Sequence, residues 1–273
     1  MTAFARQQRM NHGRQFHAYG LHAAELTNPF LGIDHAWMSG PTFPPHPHAG
    51  FSAVSYLFLD SQTWIENRDS LGGRQKILPG GLHWTAAGRG VVHEENPAEP
   101  GQTVHMLQIF VNLPQHRQGD APFALALAPQ DVPVVTRPGA QVRVPLGEFA
   151  GQRSPLRPPT EVQLLDIALD ADAELSVPVA AGLTHFVLPI SGRVAINDHV
   201  LDSSTGAPVP VQVAQAVASS TRLHAIGGPA QAVLFAGQPL NQPVFWQGPL
   251  AMASAGALQQ ALSAYRRGEF GQI

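Results

Sequence analysis

Short apolar runs rich in β-branched and aromatic residues, separated by turn signals, set the pattern of this chain. "FSAVSYLFL" (51–59), "TVHMLQIFVNL" (103–113), "EVQLLDIAL" (161–169), "THFVLPISGRVAIN" (184–197) and "AQAVLFAG" (230–237) read as strands. "TWIEN" (63–67) is a shorter candidate, and "RDSLGGRQ" (68–75) reads as the turn after it. Many short strands between Gly/Pro turns predict an all-β fold, a sandwich or barrel. One segment departs from this. In "GALQQALSAYRRGEFGQ", Leu258, Ala261, Leu262 and Tyr265 fall at i, i+3, i+4 and i+7. That spacing predicts a short C-terminal helix with one apolar face, packed on the sheet and closed by Gly268.

The pattern pauses at "LGEFAGQRSPLRPPT" (146–160), where four prolines fall between residues 145 and 159. This reads as a linker or crossover, so the boundary lies near 130–150 and divides the chain into units 1–140 and 141–273. The halves do not repeat in sequence. With 273 residues and 44% hydrophobic content, each unit has enough apolar material for a core. Charged residues are 13% and the formal net charge is −3, so no basic field for nucleic acid is expected. "MTAFARQQRMNHGRQ" has no apolar stretch typical of a signal peptide, and no run reaches 18 apolar residues. The expectation is a cytoplasmic protein that neither enters a membrane nor binds nucleic acid directly.

The chain has no cysteine, which removes disulfides, thiolate nucleophiles and iron–sulfur clusters, and leaves nitrogen and oxygen ligands for any metal. Histidines number 13, and nine of them fall at or before His105, which places candidate chemistry in the first half. In an extended strand, residues i and i+2 point to one side. His46 and His48 in "FPPHPHAGF" would project together, since Pro47 disfavours helix. In "GRGVVHEENP", His93 and Glu95 are again i and i+2. Taken alone, each pair reads as a solvated turn. Together they make a set of three imidazoles and one carboxylate, which suits a borderline divalent metal such as Fe, Mn, Co, Ni, Cu or Zn. Four protein ligands leave two octahedral positions open for substrate or dioxygen.

"NPFLGIDHAW", "PPHPHAGF", "RDSLGG", "LPGGLHWTAAGRGVVHEENP" and "QIFVNLP", with the tail "GQPLNQPVFWQGPLAM…SAYRRGEFG", resemble the pirin family in order and spacing. The resemblance is dense from 28 to 114 and thin from 120 to 230. It implies a bicupin: two jelly-roll-like cupin β-barrels, an N-terminal one holding a metal, usually iron(II), and a C-terminal one without metal. The family's ligand positions match His46, His48, His93 and Glu95. It also implies a dioxygenase of the flavonol (quercetin) 2,3-dioxygenase type, acting on a small hydroxylated aromatic substrate with dioxygen, Glu95 serving as base as well as ligand. The alternative implied is a non-enzymatic, redox-sensing iron protein that binds a regulatory protein partner. A third reading is a degenerate cupin that binds no metal.

Several surroundings depart from the family pattern. Ala49, Ala53 and Val54 stand in the stretch usually written "PHPHRGFET", so the usual Arg and Glu are lacking. Gly81 replaces an Asp, His83 a Gln, and Asn67 a frequent His. Groups around ligands tune affinity and reactivity, so these changes bear on activity more than on metal binding. His83 and His105 are expected to be core histidines, with Gln108 on the parity opposite to His105 and free to face a pocket. His185 and His224 have no partner ligand at i+2. Trp37, Trp64 and Trp84 read as core or pocket wall.

Overall fold

The computed structural model describes residues 1–273 and consists almost wholly of antiparallel sheets. Strands between residues 7 and 127 build one seven-stranded and one four-stranded sheet. In the larger sheet the order is Phe123–Leu127, Leu82–Ala86, Phe51–Leu57, Val104–Asn112, Phe30–Met38, Phe16–Leu21 and Gln7–His12. The smaller contains His46–His48, Val91–Pro97, Ile65–Asp69 and Arg74–Ile77. Strands between 134 and 237 repeat this layout of seven and four, with Thr2–Ala5 as an edge strand of the second large sheet. The fold is thus the expected pair of cupin-like halves.

The largest core lies between the two large sheets, where 26 buried side chains from both halves meet. Val54, Tyr56, Trp84, Leu107 and Ile109 of the first half pack there with Leu164, Phe186, Val233 and Phe235 of the second. At about 1.5–3 kcal/mol for each large side chain removed from water, this layer joins the halves firmly. It also explains why "FSAVSYL" is apolar throughout instead of alternating. The strand is covered on both faces, and all seven residues are buried. Val54 and Tyr56 face the layer between the halves; Phe51, Ala53, Ser55 and Leu57 face the interior of the first half.

The chain termini are exchanged between halves. Thr2–Ala5 pairs with Val209–Gln212 of the second half. The C-terminal tail returns to the first half, where Ala49 bridges to Leu250 and the Ala251 N–H donates to the Ala49 carbonyl at 3.1 Å. The helix forms at Ala255–Arg266, with the Ser254 hydroxyl accepting from the Ala257 N–H at 3.1 Å. Leu258 and Ala261 are buried and Tyr265 is 41% exposed, so the apolar face ends one turn earlier than its spacing suggested.

Other boundaries shift by small amounts. The strand expected at 63–67 runs from Ile65 to Asp69 and the run 184–197 divides at Gly192, while Glu148–Phe149 and Gln152–Arg153 form a small hairpin inside the proline-rich stretch. Three N-terminal strands, Thr2–Ala5, Gln7–His12 and Phe16–Leu21, have no counterpart in the sequence reading, because their mixed polar composition gives no clean period.

Candidate metal centre

His46–His48 forms a three-residue strand antiparallel to Val91–Pro97, with His93 opposite His46 and Val91 opposite His48. Pro47 interrupts no ladder on its outer side, as an edge position requires. The turn after His48 is held by Gly50 at φ +83°; a Cβ there would lie 1.9 Å from the Ala251 carbonyl oxygen. Only glycine fits beneath the tail at this point.

The outcome is a tight histidine cluster. Potential ligand atoms of His46, His48 and His93 all lie within 4.8 Å of one another. His46 Nδ1 is hydrogen-bonded to the Pro44 carbonyl at 3.0 Å, and His48 Nδ1 to the Pro249 carbonyl at 3.2 Å. Each bond fixes a ring orientation and leaves Nε2 free to serve as a ligand. Glu95 is not part of this three-residue group, but it lines the same cavity of about 200 Å³. Its Oε2 accepts from the Ser55 hydroxyl at 2.7 Å. Phe16, Ala36, Met38, Phe43, Met106 and Phe110 form the apolar wall, and Asp34 and Gln108 are its further polar members.

Electrostatics at the site follow from burial. It pushes His48 down to about 3, assisted by the neighbouring His46, and it lowers His46 as well. His93 lies well below its ordinary value for the same reason, with His48 adding to the effect. Desolvation raises Glu95 to about 7, opposed by the Ser55 hydrogen bond. The imidazoles are therefore held neutral, the form that coordinates metal. A buried carboxylate with one hydroxyl partner lacks a cation, which a divalent ion beside the histidine cluster would supply. The donor set fits a transition metal.

Gln108 lines the cavity, as its parity suggested. Ser55 and Asp34 were not singled out by the sequence; each is a polar residue inside a largely buried apolar strand, and that was the available signal. His83 is buried on the inner face beside Thr85, with 3.1 Å between its Nε2 and the Thr85 hydroxyl. His105 lies on the outer face, its Nδ1 2.7 Å from Asp60 and its Nε2 2.7 Å from His35, stacked on Trp37. Trp84 is fully buried core. Asn67, opposite Glu95 in the ladder, donates to Gln75 at 2.8 Å. Ala49 is fully buried against the C-terminal tail with Leu250, Met252, Leu258 and Phe270, on the strand face away from the histidines. Ala53 packs with Leu31, Phe51 and Ala251.

The sequence matches two family models, Pirin over residues 3–111 and the Pirin C-terminal cupin domain over residues 164–271. The chain belongs to the pirin family. It is 34% identical to mouse pirin over 252 residues, covering 90% of this chain and 85% of the mouse protein. A pirin-like protein of tomato, Solanum lycopersicum, is 32% identical over 250 residues, with 90% and 84% coverage. Among solved structures, a quercetin 2,3-dioxygenase from Acinetobacter baumannii superposes with a TM-score of 0.85 at 27% identity, covering 100% of this chain and 98% of that one. The Escherichia coli pirin YhhW, solved with nickel(II), shares the fold at a TM-score of 0.65 and 17% identity, covering 88% and 100%. No helix of this pirin-family chain is long and apolar enough to cross a membrane.

Proposed function

We propose that this pirin-family chain is a metal-dependent dioxygenase of the flavonol (quercetin) 2,3-dioxygenase type. The observation that carries this reading is the cluster of three neutral imidazoles, His48 and His93 buried and His46 half-buried, beside a buried carboxylate that has a hydroxyl partner but no cation, in an aromatic-walled cavity. His46, His48, His93 and Glu95 would hold one divalent ion, with iron(II) the first candidate and Mn, Co, Ni, Cu or Zn compatible with the same donors. The ligands all come from the unit assigned to residues 1–140, and the unit 141–273 is assigned no metal.

A bound metal of this kind acidifies a coordinated hydroxyl and supplies the redox chemistry for dioxygen. The protein's part begins with Glu95, a buried carboxylate that lines the cavity beside the three histidines and is fixed by Ser55. It takes the proton of a substrate hydroxyl, and the Ser55 O–H keeps its second position fixed throughout. Phe16, Phe43 and Phe110 offer ring faces and edges to an aromatic substrate and exclude water. A cavity of about 150 Å³ is enough to hold benzene. The 200 Å³ here therefore takes the hydroxylated end of a flavonol rather than the whole molecule.

The test is metal content followed by turnover. Protein reconstituted with Fe²⁺ or Mn²⁺ should bind about one equivalent and consume dioxygen with quercetin. His93→Ala should lower metal affinity by more than the ~100-fold typical of losing a group that supports a ligand. Glu95→Gln should keep measurable metal but lose turnover. Less than a tenth of an equivalent after reconstitution overturns the reading. Full loading with no dioxygen uptake overturns the enzymatic part of it.

A further inference from the structure

The inner face of the first large sheet carries a polar row. Asp34 lies opposite Gln108, Gln108 opposite Ser55, and Ser55 opposite His83 in the ladder. Directly opposed residues point to the same face. Ser55 serves Glu95, and the Gln108 side chain sits 3.1 Å from the Ser55 hydroxyl. Asp34, next in the row, lines the same cavity and has no part in the metal set. At about 4.8 Å per strand, its Cα is about 10 Å from that of Ser55, roughly the width of a hydroxylated ring with its oxygens.

The placement of Asp34 is built rather than incidental. His22, just beyond the strand Phe16–Leu21, reaches across the sheet, and its Nε2 lies 2.7 Å from Asp34 Oδ1. Room for that reach comes from two glycines. A Cβ on Gly20 would fall 2.8 Å from Asp34 Oδ1 and 3.2 Å from His22 Nε2; one on Gly32 would fall 3.2 Å from His22 Cδ2. The imidazole thereby holds one oxygen of a carboxylate that lines the cavity. The side chain of Asp34 is 13% exposed and that of His22 48%, so the pair spans from the cavity to solvent.

We propose that Asp34 is a specificity-determining residue that accepts a hydrogen bond from a substrate hydroxyl remote from the metal-binding oxygens, with His22 as its positioning residue. The proposal rests on the dioxygenase reading for the site and adds a requirement to the substrate class: an aromatic with a second hydroxyl about one ring away from the group that meets the metal. A half-buried acceptor disfavours an analogue lacking the donor, because the carboxylate oxygen not held by His22 is then left desolvated without a hydrogen bond.

Equilibrium binding to full-length, metal-loaded protein tests this without depending on turnover. The probes are quercetin, which carries remote hydroxyls, and 3-hydroxyflavone, which lacks them. Wild-type protein should prefer quercetin by about 10-fold or more, a typical value for a hydrogen bond to a charged group. Asp34→Asn should erase that preference by weakening quercetin alone, with metal stoichiometry and thermal midpoint unchanged. Gly20→Ala, which displaces the carboxylate without removing it, should reduce the preference in the same direction. His22→Ala should do so too, while His22→Gln, which keeps a donor, should restore it. Equal loss of both ligands in Asp34→Asn, an unchanged preference, or no saturable binding of either ligand overturns the proposal. Hydroxyl-dependent binding without dioxygen uptake leaves the anchor in place and overturns the dioxygenase reading instead.

Discussion

Two interiors with the same strand layout have been filled in opposite ways. In the second half, Leu165, Leu234 and Val187 stand side by side across the large sheet and face the small one, within a core of 21 buried apolar residues. In the first half, the equivalent space between sheets is lined by Asp34, Gln108, Ser55 and His83, and its buried apolar residues fall into two separate clusters of eight and four. What remains is the cavity with its histidines. The layout thus supports either a packed core or a chemical site, and the side chains pointing inward decide which. The first half can bear the loss of apolar burial because its outer face shares the 26-residue layer with the second. The second half contributes apolar burial to the half that carries the cavity.

The sharpest way to break this contrast is to substitute one inward-facing residue in each half. Leu234→Ala removes a fully buried side chain from a packed core and should cost about 2–5 kcal/mol, read from urea unfolding, with metal content per folded chain unchanged. Gln108→Leu replaces a cavity-lining amide by an apolar group of similar size and should cost less than about 1.5 kcal/mol while weakening substrate binding. Equal stability losses in the two variants would mean that the first interior is also a structural core.

A second contrast concerns Ala49, where the family pattern has Arg. Its sequence position beside His48 suggested an effect on chemistry. The structure places its side chain under the tail, against Leu250 and Leu258. Ala49→Arg should therefore overpack that contact and destabilise the protein by about 1–3 kcal/mol, with faster amide exchange at Leu250–Met252 and full metal loading at saturating ion. Lost loading with unchanged tail protection would place residue 49 in the metal site after all.

The same example shows what the sequence could and could not tell. His46, His48, His93 and Glu95 were legible because each pair sits two residues apart in a strand, and period two survives in the linear chain. The helix was legible from its period, and the longer strands from their runs of apolar, β-branched and aromatic residues. Asp34, Gln108 and Ser55 become neighbours only through ladder register, which links residues 34, 108 and 55 and leaves no trace at short range. The exchange of termini is illegible for the same reason: Thr2–Ala5 finds its partner at Val209–Gln212, and Ala49 finds Leu250. His22 was passed over because its meaning depends on space left by Gly20 and Gly32, which is a property of the packed sheet.

The smallest effect expected separates the halves by acid. Buried histidines are concentrated in the first half, and one of them, His35, lies outside the metal site on the outer face, paired with His105 at 2.7 Å. Burial pushes His35 down to about 3, with His105 and then His17 adding to the effect. An imidazole with a lower pKa folded than unfolded is held neutral by the fold, and unfolding lets it take a proton. The stability it permits is complete above about 6.5 and is lost as pH falls toward 3, at up to about 1.4 kcal/mol per pH unit for one proton. His35→Gln keeps an amide donor for His105 but takes up no proton. Urea midpoints measured from pH 7 to pH 4 should fall less steeply for this variant than for the wild type, and the two should differ least at pH 7 to 8. Parallel acid limbs would show that other buried groups carry the acid sensitivity. A flatter limb would assign part of it to the sheet that bears the site, where polar groups were placed at the expense of apolar burial.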